Sequence, residues 1–549
     1  MTTREILTIQ LGHYSNFVGT HWWNIQESSF SYDSDQSSEI NHDVLYREGE
    51  NSKVETFNIH NLKQTTFTPR LLLIDLKGST GHLNERGDLY DSAEDSLIPP
   101  VELWDPDNYE VTTEPTIPKV PFIQSLEQTF ANTEPKDFNF ESDVTVWADY
   151  LVPRFHPRTV NIIQEYQHES VDQPFNVYQY GHNLWQSDQF QDDFTNKIRA
   201  YAEESDLMQG FQIIFDSTNG FSGLGSACIE YLQDEFGKST IAFPVIDGRS
   251  SERSINDLVK VLNIALCYQS IGEHSSLFSP LCTSQTGWPQ KGTHRQFTNL
   301  TYKSDLDFHS SSLLATALDT ITLRYRQKKY PNSAMSDLCA DLNKLGRKAT
   351  ATSLSLPFPM SVDRDLIDIL DEQQGTLWTS LTPNCEISMD KSMQSLVLRG
   401  IKEERLKQQP HNAKEQQKKA AYRCSSIHEM MSLYLACSCH ATATYLTDVR
   451  TPLTIREPYP NIFNNNVCQN GDISPWPVNE EIKTVSVMAG LHSGAGLSQM
   501  FDSLHSQASR IKNINKLKAF KDSGLEQDEF TECLNQLLTY KEAYEDHYE

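Results

Sequence analysis

The chain has 549 residues, 38% hydrophobic and 22% charged, with a formal net charge of −28. That length accommodates about two to four domains with substantial cores. The acidity argues against nucleic acid and anionic lipid as partners, because both are held by clustered Lys and Arg.

In chain order, the opening MTTREILTIQLG alternates apolar and polar residues and continues as structure rather than as a signal peptide. Residues 5–11 read as a strand, and LGHYSNFVGTHWWNIQ as its turn into a helix. Residues 28–60 are polar and acidic and read as an exposed loop. PRLLLIDLKGS (69–79) has the continuous apolar run of a strand buried on both faces. Residues 83–142 are rich in Pro, Asp and Glu without periodicity, which predicts a long insertion, disordered in part. A helix over 186–205, the strand GFQIIF, a glycine-containing turn, a helix over 225–236 and the strand STIAFPV follow. This alternation predicts an α/β fold with a mostly parallel sheet, whose ligands sit at the carboxyl ends of the strands.

Further helical patterns cover 253–268 and 310–325, and SLSLPFPM (353–360) reads as the opening strand of a second α/β unit. The one basic concentration, 401–423, is interrupted by Pro410 and reads as a solvated helix or loop. Two helices, 496–520 and 526–546, end the chain; Phe530, Leu534, Leu537 and Leu538 form an apolar stripe suited to packing on the body. No apolar run approaches the roughly eighteen residues of a membrane span. The ten cysteines lack framework spacing, which suits a reducing compartment. CSCH (Cys437, Cys439, His440) lacks a second ligand pair at zinc spacing, so no metal site is expected.

The stretch FDSTNGFSGLGSACIEYLQDEFGKSTIAF (215–243) carries the most chemistry. A strand that runs through a glycine turn directly into a helix aims helix N-terminal amides at a phosphate. Only Gly220, Gly223 and Gly225 are glycines in the turn and the start of the helix, and Phe221 stands between the first two.

Five ordered segments resemble tubulin: REILTIQLGHYSNFVGTHWWNIQ, LMQGFQ, SGLGSACIEYLQDEFGKS, DLCADLNKLGRKATATSLSLPFPM and the C-terminal pair from LHSGAGLSQMF to KEAYED. The opening HWWN together with the insertion is similar to one branch, the Misato family. The resemblance implies a tubulin-like architecture: an N-terminal Rossmann-like, nucleotide-type domain over 1–345, an intermediate α/β domain over 346–490 and a C-terminal helical hairpin over 491–549. It also places a degenerate nucleotide pocket at Gly12, His13, Tyr14, Asn16, Asp75, Gly220, Ser222 and Gly223.

Against the tubulin phosphate loop, Gly-Gly-Gly-Thr-Gly-Ser-Gly, this chain reads Ser217, Thr218, Asn219, Gly220, Phe221, Ser222, Gly223. A Gln-Cys pair becomes His13 and Tyr14, and an acidic magnesium-linked position becomes Lys77. The guanine-reading asparagine falls near His274. In the loop that serves a neighbour's γ-phosphate, Asp341 remains, but the acid three residues on is Lys344. A cation there does not polarise attacking water as a carboxylate does.

The expectation is therefore a pseudo-GTPase with no cofactor, GTP being the one candidate ligand. The resemblance further implies a role in mitochondrial distribution, morphology and inheritance, as an adaptor or regulator in the cytoplasm and peripherally at the mitochondrial outer membrane. Its partners would be proteins: tubulin, chaperonin or mitochondrial outer-membrane components. A tubulin-assembly or chaperonin-linked factor for the spindle is the first alternative. An active, polymerising GTPase is the second.

Overall fold

A computed structural model describes residues 4–30, 38–50, 65–83, 117–127, 138–247, 255–288, 292–328, 333–406 and 420–545. Strand β1 (Ile6–Leu11) is buried at every position and leads through Gly12 into helix α1 (His13–Ser29). An antiparallel hairpin, β2 (Tyr46–Glu50) and β3 (Thr65–Pro69), precedes β4 (Leu71–Lys77). Helices α2 (Pro121–Glu127) and α3 (Phe140–Asp143) lie before β5 (Val160–Gln167). Next come α4 (Tyr178–Trp185), α5 (Asp188–Glu203), β6 (Gly210–Asp216), α6 (Phe221–Phe236), β7 (Ser239–Val245), α7 (Ile255–His274) and the short β8 (Leu277–Phe278).

These strands form one six-stranded sheet in the order β5-β4-β1-β6-β7-β8, with every pairing parallel. Helices cover both faces, as the strands' continuous apolar runs require. One face, with Ile9, Ile74 and Ile213, packs against α4 to α7 through residues such as Leu184, Ile198, Leu224 and Leu262. The other, with Ile6, Leu73 and Ile214, packs against α1 and α8 (Asp307–Thr322). As expected, residues 5–11, 69–76, 210–216 and 239–245 are neighbours, and the turns after β1 and β6 meet at one end: Ser15 N donates to Asp216 Oδ1 at 2.7 Å.

Helix α9 (Met335–Leu342) leads to a second sheet, whose first strand is β9 (Ala351–Ser355). After α10 (Leu366–Glu372) come β10 (Thr379–Ser380), β11 (Met393–Arg399), α11 (Ile427–Ser438), β12 (Ala443–Val449), the short pair β13 (Leu453–Thr454) and β14 (Thr484–Val485), and β15 (Val487–Ser493). The second sheet runs β10-β9-β15-β11-β12. Helix α8 lies between the two sheets and is buried from Phe308 to Thr322. Its one buried acid, Asp319, is held by Arg326 at 2.8 Å and by Arg399 of β11, which ties the sheets together. Helices α12 (Gly496–Ala508), α13 (Lys518–Asp522) and α14 (Gln527–Tyr544) follow, with α12 and α14 packed together and against α7.

Some expectations change. Helix α6 starts at Phe221 rather than at 225, because the turn itself coils. The exposed loop expected over 28–60 contains part of the β2–β3 hairpin, with Val44, Leu45 and Tyr46 buried. The stripe of α14 runs through Phe530, Cys533, Leu537 and Tyr544, with Leu534 only flanking it. Within the insertion, α2 buries Phe122 and Ile123, while 84–116 and 128–137 lie outside the described residues, as do 407–419 of the basic segment. Among the described residues no helix is long and apolar enough to cross a membrane.

Candidate nucleotide-type pocket

The first wall of the pocket is built where β1 and β4 end side by side. Gly12 takes φ +107, and a Cβ there would meet Asp216 Oδ2 at 2.6 Å and Phe221 at 2.9 Å, so only glycine fits this turn. His13 opens α1 with its Nδ1 3.3 Å from Asp75 Oδ2. Asn16 Nδ2 donates to the same oxygen at 3.0 Å, and Trp147 Nε1 at 2.8 Å; Leu76 N donates to Asp75 Oδ1 at 2.8 Å. Burial opposes ionisation of Asp75, but the hydrogen bond and charge of His13, with the donors from Leu76 and Asn16, hold its carboxyl below the usual aspartate range. Burial likewise opposes protonation of His13, yet Asp75, Asp216 and Asp307 raise it above the ordinary histidine value. Tyr14 points into the core, with its hydroxyl 3.0 Å from Ser310 Oγ.

The second wall is the turn from β6 into α6, and the amides from Gly220 to Leu224 are already engaged. Gly220 N donates to Phe175 O at 3.0 Å. Phe221 N donates to Asn219 Oδ1 at 3.0 Å, and Gly223 N and Leu224 N both donate to Gly220 O. The Phe221 ring is buried and meets Phe175 edge-on, centroids 5.0 Å apart. Ser222 is fully buried, and its Oγ donates to Asn219 O at 2.5 Å. The glycines answer to packing: a Cβ on Gly220 would strike the Phe175 ring at 2.7 Å, and one on Gly223 would strike Tyr178 O at 1.9 Å. Reciprocally, a Cβ on Gly181 of α4 would lie 1.8 Å from Gly220 O. The surviving glycines let α4 cross the first turn of α6 at backbone contact.

Between the walls lies a cavity of about 520 Å³. His13, Tyr14 and Asp75 line it together with Asp216, Asn219 and Phe221, whereas Gly12, Asn16, Gly220, Ser222 and Gly223 do not. Five carboxylates face it, Asp75, Glu169, Asp216, Asp247 and Asp307, and among the described lining residues there is no Lys or Arg. Burial pushes the Asp216 carboxyl up to about 7, and the Asp75 charge adds to this, against the donors from Ser15 and Tyr14. Such a surface repels a triphosphate and attracts a cation.

A family model described as Misato Segment II tubulin-like domain matches residues 4–128, and one described as Tubulin domain matches residues 138–327. The chain is 33% identical to Protein misato of Drosophila melanogaster over 99% of both chains. It is 30% identical to Protein misato homolog 1 of Pongo pygmaeus, across 99% of this chain and 98% of that protein. The chain belongs to the Misato family. The Danio rerio Protein misato homolog 1 is 31% identical over 98% of this chain and 97% of its own. The likeness to these Misato proteins spans the tubulin-like α/β fold from one end to the other.

Of the other residues singled out in the sequence, Thr218 also lines the cavity, whereas Asp341, Lys344, His274 and the CSCH residues do not. Asp341, at the end of α9, forms an ion pair with Arg324, and Lys344 bonds the Tyr445 hydroxyl and lies 5.1 Å from that ring's centroid. His274 Nδ1 lies 3.1 Å from Gln233 Oε1, at the far end of α6 and α7. Cys437 is exposed and Cys439 buried around the end of α11. Sequence reasoning missed Asp216, Trp147, Phe175 and His168. The Asp216 signal was available, an acid closing an otherwise apolar strand at the mouth of the turn. Trp147, His168 and Phe175 follow the insertion in sequence, and no motif marks them.

Proposed function

We propose that this Misato-family chain is a non-catalytic tubulin-like protein, a pseudo-GTPase acting through protein partners in mitochondrial distribution and morphology. The observation that carries the non-catalytic part is the α6 turn, whose N-terminal amides are bonded to Phe175 O and the Asn219 side chain rather than aimed at a ligand. Phosphate recognition at a helix N-terminus relies on those donors. Five carboxylates in the adjoining cavity add an electrostatic barrier to a nucleotide anion. The family resemblance supports the mitochondrial role; on this reading the chain acts in the cytoplasm and at the outer mitochondrial surface as an adaptor or regulator.

Three measurements test this reading. Purified full-length chain with GTP and magnesium should release phosphate no faster than buffer. Affinity isolation from native lysate should recover mitochondrial outer-membrane proteins, and depletion should disperse or cluster mitochondria in a way the wild-type chain reverses. Turnover above background would overturn the pseudo-GTPase reading. Recovery of chaperonin and tubulin subunits alone would overturn the mitochondrial one in favour of an assembly factor.

A further inference from the structure

The fold brings together three metal-ligating side chains that are far apart in sequence. His13 opens α1, Asp75 lies in β4, and His168 follows β5, and their ligand atoms all lie within 4.8 Å of one another. The two imidazole rings are in contact, centroids 4.1 Å apart and tilted by 37°. Their side chains are 17% and 21% exposed, while that of Asp75 is fully buried. The group therefore opens on one side to the cavity, which both histidines line.

We propose that His13, Asp75 and His168 form a binding site for a divalent transition-metal ion of the zinc class. Two imidazoles and a carboxylate are the donor types that such ions favour, and an open side leaves room for water or a partner's side chain as a further ligand. The carboxylate is oriented by Trp147 Nε1 at 2.8 Å and Asn16 Nδ2 at 3.0 Å on Oδ2 and by Leu76 N at 2.8 Å on Oδ1, the kind of hydrogen-bonded support that bound-metal sites use. The His168 backbone is anchored by its own N–H donating to Lys77 O at 2.9 Å. Metal–ligand bonds of about 2.0–2.2 Å require the three atoms to draw closer than 4.8 Å, a shift that rotation of the two partly exposed imidazoles would supply. The surrounding carboxylates of Glu169, Asp216, Asp247 and Asp307 favour any cation entering the cavity. A cation held here is independent of the mitochondrial role and gives the acidic cavity beside the closed phosphate cradle a use of its own.

The test is zinc and cobalt titration of chelator-treated full-length protein in nucleotide-free buffer, by calorimetry for zinc and visible absorption for cobalt. One saturable site is expected, and His168→Ala should weaken it by at least about tenfold. His168→Cys should retain binding and shift the cobalt spectrum towards thiolate charge transfer. Because the His168 side chain is partly exposed rather than in the core, thermal melting should show both variants folded; His13→Ala serves as a second ligand variant. Cys437→Ser, on the surface of α11, should leave the affinity unchanged. No saturable binding, or binding that survives both His13→Ala and His168→Ala, overturns the site. A GTP-induced melting shift, measured separately, bears on the pseudo-GTPase reading and not on the ligands.

Discussion

The two walls of the pocket have diverged in opposite ways. At the ends of β1 and β4, polar side chains still face the cavity: His13 and Asp75 lie 3.3 Å apart, with Asn16 and Trp147 behind them. At the end of β6, the glycines and amides of a phosphate turn persist, but α4 and Phe175 occupy them. The comparison separates two uses of one residue type. Glycine permits close backbone approach, whether the approaching group is a phosphate or another helix. Gly223 and Gly181 here serve the helix.

The largest effect should come from Phe221→Ala. Deleting this buried ring should cost about 3–5 kcal/mol in urea unfolding. It should not bring GTP binding, because the Phe221 amide stays bonded to Asn219 Oδ1. Opening the turn would require removing the Asn219 and Phe175 contacts as well. A variant that gained GTP affinity from Phe221→Ala alone would erase the distinction between the walls.

Gly181→Ala should follow, at about 1–3 kcal/mol of lost stability, since its Cβ would press on Gly220 O at 1.8 Å. Helix propensity pulls the other way by up to about 1 kcal/mol, so a neutral result would mean that α4 and α6 part easily. Denaturant melts of this variant beside Gly375→Ala calibrate the cost: Gly375 has φ +83 and nothing within 4 Å of its would-be Cβ, so only backbone strain is at stake there.

The pH dependence is smaller. The Asp216 carboxyl rises from an ordinary 3.8 to about 7 in the folded chain, so the native state binds the extra proton between those values. Its contribution to stability is therefore present below about 4 and is lost as pH rises through about 7. Asp216→Asn should flatten the fall in stability between pH 5 and pH 8 by about 1–2 kcal/mol, read from chemical denaturation at both pH values. An unchanged slope would show that the donors from Ser15, Tyr14 and the Asn219 side chain outweigh the burial of Asp216.

Smallest is Tyr14→Phe, which removes the bond to Ser310 Oγ at 3.0 Å and should cost about 1 kcal/mol. Tyr14 stands where tubulins have a nucleotide-loop residue, but its hydroxyl points into the core, so the substitution should change stability alone.

Much of the fold was legible because its strands carry largely apolar runs: LLLID, GFQIIF and STIAFPV mark β4, β6 and β7. The β2–β3 hairpin was not, since Tyr46–Glu50 pairs with Thr65–Pro69 and neither segment alternates clearly. The start of α6 was misplaced because Asn219 caps the turn through its side chain, a local bond that glycine counting ignores. At the pocket, the order Phe221 between two glycines foretold a spoiled cradle, but not what fills it. Phe175 and Gly181 lie some forty residues before the turn, and only tertiary packing brings them onto it. The same holds for His168: CSCH lacks a second ligand pair at zinc spacing, while the histidines that converge stand far apart in sequence, at 13 and 168.

The most direct test of a cradle closed by its own chain is equilibrium binding of a slowly hydrolysed GTP analogue with magnesium, followed by amide exchange over 217–224. A closed cradle gives no saturable binding, and the amides of Gly220, Phe221, Gly223 and Leu224 are protected to the same degree with and without nucleotide. Saturable binding of the GTP analogue but not its ATP counterpart, with added protection confined to those amides, would contradict it.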